Sequence, residues 1–147
     1  MKNQKKVFVS GCFDLMHSGH IAFFEEASEL GDLYVSIGSD QTIRELKHHE
    51  PICCEDERLY MVKSVRFVKD AFVGSGSGKL DFLPQLDSVK PDIFFVNEDG
   101  ASEAKEQMCR ERGIEYVVRK RLPKDKLPYR STTSFREMMK IQEENRK

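Results

Sequence analysis

Short apolar runs alternate along the chain with stretches whose apolar positions recur at helical spacing. Lys6-Val7-Phe8-Val9-Ser10 is short and rich in β-branched and aromatic residues, which predicts a buried parallel strand ended by Gly11. From Gly19 onward Ile21, Phe23, Phe24, Ala27 and Leu30 repeat with helical period, Glu25, Glu26 and Glu29 take the opposite face, and Gly31 is the stop signal. The alternation continues with a strand over Leu33 to Gly38, a short helix or turn over Thr42 to Lys47 and a helix over Glu55 to Ser64 carrying Leu59, Met61 and Val62. A strand over Phe67 to Val73 follows, then a helix over Leu80 to Ser88 stopped before Pro91, and a strand over Asp92 to Val96. Ser102 to Arg112 reads as a helix ended by Gly113, Ile114 to Val118 as the fifth strand, and Phe135 to Met139 as part of a last amphipathic helix. Such order requires an α/β fold, doubly wound, with a mostly parallel five-stranded sheet, helices on both faces and right-handed crossovers. One domain over residues 1–147 is expected, with ligands at the carboxyl ends of the strands.

The densest chemistry lies where the first strand gives way to the first helix, in Gly11-Cys12-Phe13-Asp14-Leu15-Met16-His17-Ser18-Gly19-His20-Ile21. A helix starting near His17 to Gly19 leaves its first N–H groups without intrahelical acceptors, and its dipole favours an anion there. Gly19 keeps side-chain bulk away from such an anion. His17 and His20, three residues apart, are expected on one face of the first turn, aimed at the same group. Zinc ligation by this pair lacks a third and fourth ligand at suitable spacing, because the adjacent His48 and His49 point apart. Near the other end, Ser131, Thr132, Thr133 and Ser134 offer hydroxyls and cap chemistry in front of Phe135, and Arg130 and Arg136 add charge.

The pattern G-x-F-D-x-x-H-x-G-H after a first strand resembles the signature of the small cytidylyltransferase-like nucleotidyltransferases. The likeness continues at Glu57-Arg58 followed by Val65 to Val73, and at Arg130-Ser131-Thr132-Thr133-Ser134 before the last helix, so it spans nearly the whole chain. It implies a Rossmann-like fold and a reaction in which a substrate phosphate attacks the α-phosphate of a nucleoside triphosphate and pyrophosphate leaves. The histidines, His17 and His20, would then stabilise charge at the α-phosphate, with Lys47 where the family commonly places a phosphate-binding lysine. Gly11, Cys12, Phe13, Asp14, Gly19, Asn97, Asp99, Arg130, Ser131, Thr132, Thr133 and Ser134 are the implied nucleotide contacts, Asp14 more as a loop-fixing group than a reacting one. The substrates expected are CTP, or ATP, with Mg²⁺ carried on the phosphates and no metal site built from protein ligands. The expected acceptor is a small phosphorylated polyol, sugar or alcohol. The alternatives are an adenylyltransferase acting on a sugar phosphate or flavin phosphate, and a nucleotide-binding module without turnover. A homodimer is expected because relatives of this size commonly pair.

The chain departs from family members acting on glycerol phosphate and ethanolamine phosphate. They carry an aromatic in a G-D-D-W-like segment after the fourth strand, where this chain has Asn97-Glu98-Asp99-Gly100, and Glu50 precedes Pro51 where a basic residue is expected. Asn97, Glu98 and Asp99 suit a sugar hydroxyl, a nucleobase edge or an ordinary polar helix start. Gly74-Ser75-Gly76-Ser77-Gly78-Lys79 imitates a phosphate-binding loop, but three residues rather than four separate Gly74 from Gly78 and Leu80 follows the lysine. It reads as a flexible connection able to cover the site.

Composition narrows the partners. With 33% charged residues, 39% hydrophobic residues and a formal net charge of -1, no global basic bias points to nucleic acid. Arg119-Lys120-Arg121, Lys124 and Lys126 form a local basic stretch, a phosphate-facing loop or a solvated surface. No run is apolar for long enough to cross a membrane, and the basic start Met1 to Lys6 lacks the apolar core of a signal peptide. Cys12, Cys53, Cys54 and Cys109 have no framework spacing, which fits a reduced, cytoplasmic protein. Cys12 is not expected to act as a nucleophile, because the reaction needs no covalent enzyme intermediate.

Overall fold

Among the described residues, five parallel strands form one sheet in the order β3-β2-β1-β4-β5. They are β1 (Lys6–Gly11), β2 (Asp32–Ile37), β3 (Asp70–Val73), β4 (Ile93–Asn97) and β5 (Glu115–Arg119). This computed structural model describes residues 4–121 and 123–146. Met1, Lys2 and Asn3, part of the basic start weighed above, lie outside the described residues. The helices are α1 (Ser18–Ser28), α2 (Asp40–Lys47), α3 (Glu55–Lys63), α4 (Leu83–Val89), α5 (Glu103–Arg112) and α6 (Thr132–Asn145), with single 3₁₀ turns at Gly78–Leu80 and Glu98–Gly100. The strand order reverses between β1 and β4, as in a Rossmann-like, doubly wound sheet.

Both faces of the sheet are covered, which is why its strands read as continuous apolar runs. Val7, Val9, Leu33, Val35 and Phe95 pack against Phe24 and Ala27 of α1 and Val62 of α3. On the opposite face Phe8, Phe94 and Val96 meet Phe82, Leu86 of α4, and Met108 and Cys109 of α5. Neighbouring β1 residues thus alternate between two cores, as the period of a strand demands.

Most boundaries agree with the sequence reading to within one residue, and three larger differences have physical reasons. The third strand starts at Asp70 rather than Phe67, because successive turns carry the chain from α3 through residues 64–69, closed by Val65 N–H to Val62 O and Val68 N–H to Val65 O. Phe67 and Val68 still pack on the core, so their apolar character reports burial in a turn rather than a strand. α2 begins earlier than Thr42, at Asp40, because Ser39 Oγ accepts the Thr42 N–H at 3.1 Å as an N-cap. The expected helix over Leu80 to Ser88 is a 3₁₀ turn followed by a helix restarting at Leu83, with Pro84 in its first turn, where its missing N–H costs nothing.

Candidate active site

After Gly11 the chain passes through Phe13 (φ 50°) and Leu15 (φ 48°), two non-glycine residues in the left-handed region. Such backbone costs of order 1 kcal/mol or more per residue and persists only where its surroundings hold it. Two side chains do so. The buried Phe13 ring packs on His20 and Phe24 at 5.3 and 4.9 Å, close enough to Gly11 that a Cβ there would lie 2.8 Å from the ring. The Asp14 carboxylate accepts the backbone N–H groups of Ile52 and Cys53 at 2.8 and 2.9 Å and lies 3.4 Å from the Arg136 guanidinium. Its oxygens therefore fix the loop to the segment before α3 and to α6.

His17 is the N-cap of α1 rather than a member of its first turn. Its Nδ1 accepts the Gly19 N–H at 3.1 Å, and His20 Nδ1 accepts the His17 N–H at 3.3 Å, a reciprocal capping box built from two imidazoles. The rings stack at 3.9 Å and 21°. With both Nδ1 atoms accepting, each neutral ring carries its proton on Nε2. Burial holds the rings neutral. It pushes His20 down to about 3, helped by the charges of Arg121 and Lys47 and by His17, and it lowers His17, helped by Arg121 and Arg130. His17 Nε2 is buried and has no partner among the described residues. Gly19 is needed by this arrangement itself, because a Cβ there would lie 2.9 Å from the His17 ring and 3.0 Å from the Arg130 carbonyl.

α6 presents a second helix start. Ser131 caps it, Oγ accepting the Ser134 N–H at 3.1 Å. Phe135 sets an edge-on contact with His17 at 5.4 Å, and the Arg130 guanidinium lies over the Phe135 ring at 5.4 Å. The S-T-T segment is thereby tied to the histidine motif through an aromatic contact as well as through Arg136 and Asp14.

Between these two helix starts, at the carboxyl ends of β1 and β4, lies a cleft of about 820 Å³. Of the residues singled out in the sequence, Gly11, Cys12, Phe13, Asp14, Gly19, His20, Lys47, Asn97, Asp99, Ser131, Thr132 and Thr133 line it. His17 is buried beside His20, Ser134 is spent on the cap, and Arg130 turns toward Phe135 and Met138, so these three do not line the cleft. Asn97 Oδ1 accepts the Gly100 N–H at 3.2 Å and Asp99 meets Arg121 at 2.8 Å, so this segment is first of all a capped turn leading into α5. Of the basic stretch, Arg121 faces the cleft while Arg119 and Lys120 are exposed. Glu50 pairs with Arg44 at 2.8 Å. The glycine-rich Gly74 to Lys79 segment does not line the cleft and packs instead around Asp81.

Sequence reasoning passed over Ile43 and Lys105 as cleft residues and above all Arg58, and left Arg121 between a phosphate-facing loop and a solvated surface. Arg58 is 1% exposed and donates to the Cys53, Cys12 and Gly38 carbonyls at 2.9, 2.9 and 2.6 Å and to Asp40 at 2.7 Å. It ties together the chain after β1, the end of β2, the start of α2 and the start of α3. Its signal was the Glu57-Arg58 dipeptide of the family-like segment, read there as a motif without a role.

The model of the family described as Cytidylyltransferase-like matches residues 8–138. The chain belongs to the cytidylyltransferase-like family. Among curated proteins, FAD synthase of Aciduliprofundum boonei is 40% identical over 116 residues, 77% of this chain and 75% of that protein. FAD synthase of Methanocella paludicola is 33% identical over 138 residues, 92% of this chain and 96% of that protein. Among solved structures, a lipopolysaccharide core biosynthesis protein from Thermoplasma volcanium superposes with a TM-score of 0.69 at 28% identity, over 84% of this chain and all of that one. Membership of this family supports nucleotidyl transfer as the activity of the chain.

Proposed function

We propose that this protein transfers AMP from ATP to the phosphate of FMN, giving FAD and pyrophosphate. The observation that carries this reading is the likeness to FAD synthases over up to 92% of the chain. It favours the flavin-phosphate alternative over the expected CTP-dependent transfer to a polyol phosphate. The absent aromatic at Asn97-Glu98-Asp99-Gly100 points the same way, since it separates this chain from the glycerol-phosphate pattern.

In this reading an oxygen of the FMN phosphate attacks the α-phosphorus of ATP, a new P–O bond forms, and the α–β bridging bond breaks as pyrophosphate departs. An ionised phosphate needs no general base, so catalysis rests on positioning and on charge stabilisation. His20, in the cleft wall, donates from Nε2 to an α-phosphoryl or bridging oxygen, and His17, buried behind it, sets the His20 ring through the capping box. The start of α6, with Thr132 and Thr133, takes the outer phosphates, supported by Arg121 and Arg136. Lys47 serves the acceptor phosphate, and Asn97 the nucleoside.

The residues fit Mg²⁺ carried by the nucleotide rather than held by the protein. Asp14 is committed to backbone N–H groups, Asp99 to Arg121, and among the described residues no group of three or more His, Cys, Asp or Glu could cage a metal. Bound to phosphate oxygens and water, the ion would neutralise charge on the triphosphate.

The test is a substrate panel: ATP and CTP, each with FMN, glycerol phosphate or a heptose phosphate, read by pyrophosphate release and product chromatography. FAD formation with ATP and FMN alone is expected. Release confined to CTP with a polyol phosphate would restore the first expectation, and nucleotide binding without turnover would leave a binding module.

A further inference from the structure

FMN offers a phosphate and a flat ring whose pyrimidine portion carries carbonyl oxygens, and the phosphate donors described above leave the ring without a recognised partner. Lys105, in the first turn of α5, lines the cleft along with the apolar Ile43 and Val96. Its Nζ donates to the Gly100 carbonyl at 2.7 Å, which leaves two donors, and burial lowers its pKa. The acid that feels its charge is Asp81, buried, whose pKa burial raises and the Lys105 charge opposes, with Oδ2 unpartnered among the described residues.

The glycine-rich segment after β3 is the housing of this aspartate. A Cβ on Gly74 would lie 3.2 Å from Asp81 Oδ2, one on Gly76 would lie 2.8 Å from the Asp81 carbonyl oxygen, and that oxygen accepts the Gly76 N–H at 2.8 Å. On the other side, a Cβ on Gly38 would lie 3.3 Å from the Cys12 sulfur and 3.9 Å from Asp81 Oδ2, which sets the carboxylate just behind a residue of the cleft wall.

We propose that Lys105 is a flavin-binding residue that donates to a carbonyl oxygen on the pyrimidine edge of the isoalloxazine ring, and that Asp81 is a positioning residue that acts through Lys105. The inference rests on FMN being the acceptor. A flat apolar ring suits walls formed by Ile43 and Val96, and a carbonyl oxygen satisfies a lysine donor that water would otherwise take.

The experiment is titration of flavin fluorescence without ATP, using FMN and phosphate-free riboflavin, on the full chain and on K105M, K105R, D81N and K105M/D81N. ATP binding by calorimetry reports whether each variant is folded. K105M is expected to weaken both flavins about tenfold, the worth of one charge-assisted hydrogen bond, with ATP affinity changed less than about twofold. K105R is expected to stay within about threefold of the native chain. D81N is expected to weaken flavin binding on its own and to add nothing once Lys105 is replaced. Unchanged riboflavin binding in K105M overturns the inference, whether FMN is weakened, which would place the contact on the phosphate, or is unaffected. Effects of D81N that persist in the double variant overturn the role of Asp81. A native chain that binds ATP but neither flavin would sink the acceptor reading itself, and the inference with it.

Discussion

At the scale of single residues, the account turns on a stacked pair of neutral imidazoles, His20 in the cleft wall and His17 behind it. His17→Ala and His20→Ala are each expected to lower kcat by about 10²-fold or more, measured as pyrophosphate release, because the second deletes a donor aimed at developing charge and the first deletes the partner that aims it. The low pKa of His20, about 3 against about 6.5 in an unfolded chain, also has a consequence for stability. Between those values the unfolded chain binds more protons, so this residue's share of stability is whole above about pH 6.5 and is lost as pH falls toward 3. Denaturation midpoints from pH 7 down to 4 should therefore fall less steeply for His20→Gln than for the native chain. Arg58→Met is expected to cost about 3–5 kcal/mol in chemical denaturation, since it strands Asp40 and three carbonyls around a buried site. The histidines were legible because their spacing is local. Arg58 was not, because its partners at Cys12, Gly38 and Asp40 are brought to it only by the fold.

At the scale of elements, α6 stands apart: none of its residues is buried, and its seat consists of the Ser131 cap, the Phe135 contact with His17 and the link from Arg136 to Asp14. Ser131→Ala should cost about 1 kcal/mol at this helix start. Its signature would be faster amide exchange over the first turns of α6 together with a several-fold higher KM for ATP at nearly unchanged global stability. The helix start could be read from Ser-Thr-Thr-Ser, whereas its attachment to the histidine loop could not, because Phe135 and Arg136 look like one apolar and one solvated position. Phe67 and Val68 failed in the opposite sense, since apolar residues that cover the core from a turn have the same composition as a strand.

At the scale of the molecule, the alternation of runs was enough for the parallel sheet and for a cleft at its carboxyl edge. A flavin phosphate could be read only as one alternative acceptor among several, because the lining of the cleft comes from residues such as Ile43 and Lys105, scattered over separate elements. We further propose that the chain pairs with a second copy. Ile52, ahead of α3, and Tyr60 and Met61 in its second half, 56%, 74% and 40% exposed, are the apolar residues such a contact would cover. Light scattering should then give about twice the 17.0 kDa of the chain; the mass of one chain at working concentration would refute the pairing. The central claim is that this cleft joins the α-phosphate of ATP to FMN. Its most direct test follows ATP labelled at the α-phosphate in a reaction with FMN and Mg²⁺. The label is expected in FAD, one equivalent for each pyrophosphate released, and label that stays in the nucleotide pool or appears only in AMP would contradict the account.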